Sequence, residues 1–202
     1  KTLRHFLLRW GYRHQTYDLE AFHLYRAGQK DDLHAWMQRF DSFEDWPWPL
    51  MYREIDSWFP DAKFILTLRD SDERWYRSLC KMAVRMGPLN DFERHIYGYT
   101  MPQGRKSQHL EFYHRHNEEV MSYFNDRPHK LLRLCWETGE GVTALPEFLG
   151  QSPLEETAPN LNESLPVYGG DSLWRAHLSR VTFQTKWKLR RLLGGLKRRW
   201  TT

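Results

Sequence analysis

Lys63–Ser78 reads KFILTLRDSDERWYRS. The apolar residues Phe64, Ile65, Leu66 and Leu68 form a strand-like run that ends at Arg69. Asp70, Ser71 and Asp72 then open a helical pattern that carries Trp75 and Ser78. A strand whose C-terminal end presents a fixed cation ahead of a helix N-terminus is how open α/β sheets build anion sites. In such a site Arg69 is a planar fork for a phosphate and the Ser78 hydroxyl a neutral donor. A core strand followed by a surface Arg–Asp pair accounts for the same residues, and this segment alone leaves the two readings level.

Upstream, Leu3, Phe6, Leu7 and Trp10 fall at helical spacing before Gly11, and His14 to Tyr17 suits a short strand. A second helix is expected over 19–28, and Asp31–Asp32 reads as the cap of a third, LHAWMQRF. DSFEDWPWP is a strand end or loop, because Pro47 and Pro49 forbid a helix interior. Helix returns at 50–59. Downstream, helices are expected over 72–86, 90–99 and about 106–125, then a strand in HKLLRLC (129–135). GEGVTALPEFLG reads as a tight turn, a short helix whose start Pro146 limits, and a stop at Gly150. Residues 151–170 read as a surface loop and 171–193 as a helix. Strands alternating with helices on this scale give an α/β fold, three-layer α/β/α and helix-rich, with a mostly parallel central sheet.

With 202 residues the chain suits one domain with a sizeable core, taken as 1–165, followed by a C-terminal helix and basic tail over 166–202. Ten Trp, ten Tyr and eleven Phe favour a deep apolar interior or an aromatic-lined cleft over disorder. The net charge of +4 is concentrated in 171–202, a local tail and not a nucleic-acid footprint. The Arg/Lys group at 186–199, interleaved with Trp187, Leu189, Leu192, Leu193 and Trp200, suits either a solvated terminal helix or peripheral contact with an anionic membrane. Cys80 and Cys135 have no metal-ligand spacing and read as a reduced pair, with one disulfide as the alternative. No apolar run approaches the roughly 20 residues of a membrane span. A cytoplasmic location is expected. The chain opens on Lys1 and not on methionine, so residues upstream are expected too.

Four segments in order resemble the sulfotransferases that use the nucleotide donor PAPS, 3′-phosphoadenosine 5′-phosphosulfate, within the P-loop fold. KTLRHFLLRWGYRH resembles the helix after that family's phosphate loop, and FEDWPWPLMYREI its Asp-Trp-Pro segment. FPDAKFILTLRDSDERWYRS resembles its segment for the donor's 3′-phosphate. LLRLCWETGEGVTALPEFLG resembles its late strand and GEGW turn, with Val142 where tryptophan is usual. Together they cover residues 1–165. The glycine-rich part of the loop and its lysine are missing; Lys1 falls in the variable slot before Thr2. Either the sequence starts late or the grip on the 5′-phosphosulfate is lost. The Arg69-to-Ser78 spacing is one residue longer than the family's, which Ser71–Asp72 can absorb at the helix start.

The resemblance implies transfer of a sulfuryl group from PAPS, without a metal, to a hydroxyl or amine of a small-molecule or glycan acceptor. It assigns Thr2, Arg69 and Ser78 to the donor, the last two to its 3′-phosphate, and nominates Asp45 as the acceptor's base, with Glu44 as fallback. A carboxylate wedged against Trp46 would be desolvated and its pKa raised, which suits a base; a capping role before two prolines is the plainer alternative. Trp46 and Trp48 read as core before acceptor stacking, and Trp75 as packing on the sheet before adenine contact. His95, His109 and His114 are further candidate bases that nothing in the sequence orients, and Glu137 and Thr138 read as turn caps. Competing functions are a non-catalytic domain of the same fold and another P-loop transferase such as a small-molecule kinase.

Overall fold

The computed structural model describes residues 2–86, 91–99, 101–139 and 141–154, with 172, 174–178, 181 and 185. In chain order these form α1 (Thr2–Arg9), β1 (His14–Gln15), α2 (Leu19–Ala27), α3 (Lys30–Met37), β2 (Ser42–Phe43), α4 (Tyr52–Trp58), β3 (Phe64–Leu68), α5 (Asp72–Met86), α6 (Asp91–Tyr97), α7 (Lys106–Tyr123), β4 (Leu131–Cys135) and α8 (Gly141–Leu149). The fold is the expected helix-rich α/β arrangement. Among the described residues the strands pair in parallel as two two-stranded sheets, β1 with β2 and β3 with β4. The chain divides into two compact units, Lys1–Asp70 with His114–Glu163, and Ser71–Tyr113 with Ser164–Thr202. The expected boundary at 165/166, the loop beyond 154 and the basic group at 186–199 lie outside the described residues. Of the expected helix 171–193, residues 174–178, 181 and 185 are helical.

In the first unit the β3–β4 ladder runs from Phe64↔Leu131 to Leu68↔Cys135. Alternation along the strands sends side chains to opposite faces. On one face Ile65 and Leu132 pack with Leu3, Phe6 and Leu7 of α1 and Leu145 of α8. On the other, Phe64, Leu66, Leu68 and Leu131 meet Tyr52 of α4, Val120 of α7 and Phe124. Helix, sheet, helix: this is the three-layer arrangement, and each fully buried large apolar side chain contributes roughly 1.5–3 kcal/mol to it. A further core joins Ala21 of α2 to Leu33, Trp36 and Met37 of α3, Trp48, Met51 and Ile55.

Local chemistry explains the element ends. Asp18 caps α2, its Oδ1 accepting from the Ala21 amide at 3.0 Å. α3 begins at Lys30, three residues earlier than expected, so Asp31 and Asp32 sit in its first turn, where their charge favours the positive end of the helix dipole. After the cis Trp46–Pro47 peptide, Trp48–Leu50 forms a single 3-10 turn. Trp48 is core, stacked on Trp36 at 5.6 Å, with Nε1 donating to the Thr16 carbonyl at 3.3 Å. Pro146 does not limit the start of α8; it lies inside the helix, fully buried beside Leu145. Core packing there outweighs the lost amide hydrogen bond. Gly141 is required by close approach: a Cβ would come within 2.7 Å of the Trp136 ring.

One buried ionic cluster pins the strand starts. Asp56, near the end of α4, accepts from Lys130 and Arg127 and, at 3.0 Å, from the Tyr123 hydroxyl. Lys130 also donates to the Pro60 carbonyl at 2.7 Å. Burial pulls the Asp56 carboxyl upward, but its hydrogen-bonded partners outweigh that and hold it below the usual range.

In the second unit, Trp75 stacks on Tyr113 at 4.3 Å, Tyr76 donates to the Pro102 carbonyl at 2.7 Å, and Gln103 donates to the Cys80 carbonyl at 3.0 Å. Ala83, Val84, Met101 and Ala176 form its apolar centre. Cys80 and Cys135 are both free thiols.

Asp56→Ala leaves Lys130 buried without its counter-ion and is expected to cost about 3–5 kcal/mol in urea unfolding. Arg127→Ala, at a guanidinium that reaches solvent, is expected to cost about 1 kcal/mol. Equal losses would show that the cluster is not organised around Lys130.

Candidate functional site

In parallel sheets the C-terminal strand ends carry the ligand-facing groups. The β3–β4 register places Leu68 opposite Cys135, so Arg69 and the turn Trp136–Thr138 follow side by side. Arg69 is exposed and its Nη1 donates to Oε1 of Glu137, whose side chain is only 17% exposed. The second carboxylate oxygen of Glu137 accepts from the Cys135 thiol at 3.4 Å. Burial raises the Glu137 pKa, but the thiol and the Arg69 cation outweigh it and hold the group ionised, below the usual carboxylate range. Thr138 is the turn cap expected, bonding the Cys135 carbonyl at 2.9 Å. Glu137 is not: it is the counter-ion of the cation singled out for phosphate. Sequence reasoning missed this because the two residues meet only through the pairing of strands far apart in the chain.

The other strand pair ends in a second polar group. Opposed in register, His14 and Ser42 join through Nδ1···Oγ at 2.9 Å. The His14 side chain is fully buried, and its Nε2 lies 3.8 Å from Oε2 of Glu44, which is 13% exposed. Burial works to raise the Glu44 pKa, yet the group is held below the usual range, with His14 among the groups that lower it. His14 has no sequence signal beyond its place in a short strand. Just outside, Arg13 grips Asp41 in a bidentate pair at 2.9 and 2.7 Å, which holds the Asp41 pKa near 2.

Asp45 departs from expectation. It is exposed, and its φ of 69° places it in the left-handed region that an Asp tolerates better than most residues. The desolvation expected to tune it is therefore missing, and Glu44 is the more buried carboxylate of the two. Thr2 is half-buried and opens α1.

Ser78, half-buried on α5, belongs to the second unit. There Trp75 stacks on Tyr113 of α7, where a place on the sheet was expected. His109 is buried among Tyr97 at 4.6 Å, Tyr99 at 5.2 Å, Tyr76 and Trp75, and among the described residues neither ring nitrogen has a hydrogen-bond partner. Burial, then the nearby Arg105, depress its pKa to about 4, so it is a neutral imidazole at pH 7. Glu93 lines the same small cavity, and burial raises its pKa to about 7. His95 and His114 are exposed. Among the described residues no three His, Cys, Asp or Glu side chains converge as a metal-binding group, and no helix is long and apolar enough to cross a membrane.

A family model described as a sulfotransferase domain matches residues 8–165, a stretch that contains Asp45, Arg69, Ser78 and Glu137 and begins after Thr2. No curated protein and no solved structure gives a match.

His109 and Glu93 set opposite pH dependences. A base whose folded pKa lies below its unfolded value takes up a proton on unfolding, so His109 costs stability as pH falls from 6.5 towards 4. Glu93, raised when folded, adds stability as pH falls from 7 towards 4.5. In Glu93→Gln the urea midpoint should therefore drop more steeply between pH 7 and 4.5 than in the parent, and in His109→Asn less steeply. Parallel profiles for all three proteins would contradict this.

Proposed function

We propose that this chain, which belongs to the sulfotransferase domain family, transfers a sulfuryl group from PAPS, held by its 3′-phosphate at Arg69. The observation that carries this reading is the placement of an exposed guanidinium just past the C-terminal end of β3, level with the end of β4. A guanidinium fork matches a phosphate in charge and geometry, and charge-assisted bonds of this kind are about twice as strong as neutral ones. The family resemblance adds Ser78 as a neutral donor to the same phosphate and the Thr2 hydroxyl at the start of α1 for the 5′ end. With the donor anchored, binding energy orients the sulfur for in-line attack.

The acceptor is a hydroxyl or amine that gives up a proton as the sulfuryl group arrives. Asp45 is its proposed base, exposed at the turn after β2 where an acceptor can reach it. Glu44 is a second reading, favoured by the buried His14 beside it, which offers an imidazole to share the proton.

Calorimetry with adenosine 3′,5′-bisphosphate tests the donor site. Arg69→Ala is expected to weaken binding tenfold or more, and Ser78→Ala by roughly 1–3 kcal/mol, the scale of a lost partner to a charged group. Binding that Arg69→Ala leaves unchanged would overturn the assignment. Asp45→Asn should lower turnover of PAPS with a panel of hydroxyl and amine acceptors while leaving bisphosphate affinity in place. Loss confined to Glu44→Gln would move the role to Glu44.

A further inference from the structure

We propose that Glu137 is an internal competitor for Arg69, a carboxylate that occupies the guanidinium fork until a 3′-phosphate displaces it, and so lowers the affinity for nucleotides that carry that phosphate. The inference rests on the reading of Arg69 as the phosphate ligand.

Three observations carry it. Glu137 contacts the same guanidinium that a phosphate needs, through Oε1, while its other oxygen is held by the Cys135 thiol at 3.4 Å. The carboxylate is therefore held at the fork from the end of β4. It is also ionised, with a pKa lowered below the usual range. A dianionic phosphate at Arg69 meets this charge at close quarters, and like charges on one site repel strongly. Finally, the pair sits at matched ends of neighbouring strands, Leu68 opposite Cys135, so the contact follows from the ladder and not from a chance surface rotamer.

A nucleotide without a 3′-phosphate brings nothing to exchange for Glu137 and leaves the pair closed. One with it must supply more charge than a carboxylate does, and a phosphate dianion does so. Glu137 acts through Arg69, so its effect is read in affinity and in discrimination between nucleotides.

Calorimetry with adenosine 3′,5′-bisphosphate and adenosine 5′-phosphate on the full chain tests this. Glu137→Gln is nearly isosteric and removes the charge. It is expected to tighten bisphosphate binding about two- to fivefold, the worth of a partly exposed ion pair, and to leave 5′-phosphate binding unchanged. Damage to the fold would weaken binding, so a gain cannot come from it. If Glu137→Gln fails to fold, Glu137→Asp, which keeps the charge but withdraws it from the fork, should give a smaller gain of the same sign. Arg69-dependent binding that neither variant tightens, or equal tightening towards both nucleotides, overturns the competitor role and leaves the donor site standing. No bisphosphate binding by the parent, or binding that Arg69→Ala does not touch, overturns the donor site and this inference with it.

Discussion

The parallel ladder between β3 and β4 is the constraint on which the described site depends. Its five residue pairs bury apolar side chains on both faces, against α1 and α8 on one side and against α4 and α7 on the other. Parallel neighbours cannot be joined by a hairpin, so the chain between them must return through a long crossover before any pair can form. The buried cluster of Asp56, Lys130, Arg127 and Tyr123 fixes where that return ends: it ties α4, the helix before β3, to Pro128–Lys130, a 3-10 turn that leads into β4. With the starts of both strands held, their ends come level, and the side chains that follow meet.

That geometry links packing to chemistry. Arg69 and Glu137 are neighbours because Leu68 and Cys135 are, and Glu44 stands beside His14 because Ser42 and His14 are partners in the second ladder. Glu44, Arg69 and Glu137 each lie one or two residues beyond the end of a strand, and His14 opens one. A one-residue slip would turn every side chain of a strand to its other face, so the hydrophobic pattern of Phe64, Leu66 and Leu68 indirectly specifies the position of a cation.

The local features were legible because local rules govern them. The apolar run at 64–68, the cation after it, the helix that follows and the strand at 131–135 all announce themselves within a few residues. Trp48 and Trp75 were readable as packing residues for the same reason. What stayed hidden depends on contacts between distant segments. Nothing near Glu137 in the chain names Arg69 as its partner, and nothing near His14 names Ser42 or Glu44. The burial expected of Asp45 was misjudged because adjacency to a large aromatic residue does not bury a side chain at an exposed turn whose backbone is left-handed. Pro146 was misjudged because propensity was outweighed by burial beside Leu145.

If Arg69 receives the donor as proposed, its neutralisation by Glu137 also bears on how quickly a nucleotide arrives. A lone guanidinium projects a field that draws anions from several ångströms away, but a cation and carboxylate in contact act together as a dipole whose field dies off sooner. Long-range electrostatic guidance can raise association rates by orders of magnitude, and it falls steeply with salt. On the proposed donor reading such guidance would be muted at this strand edge, and the attraction would be felt only once the ligand has already landed.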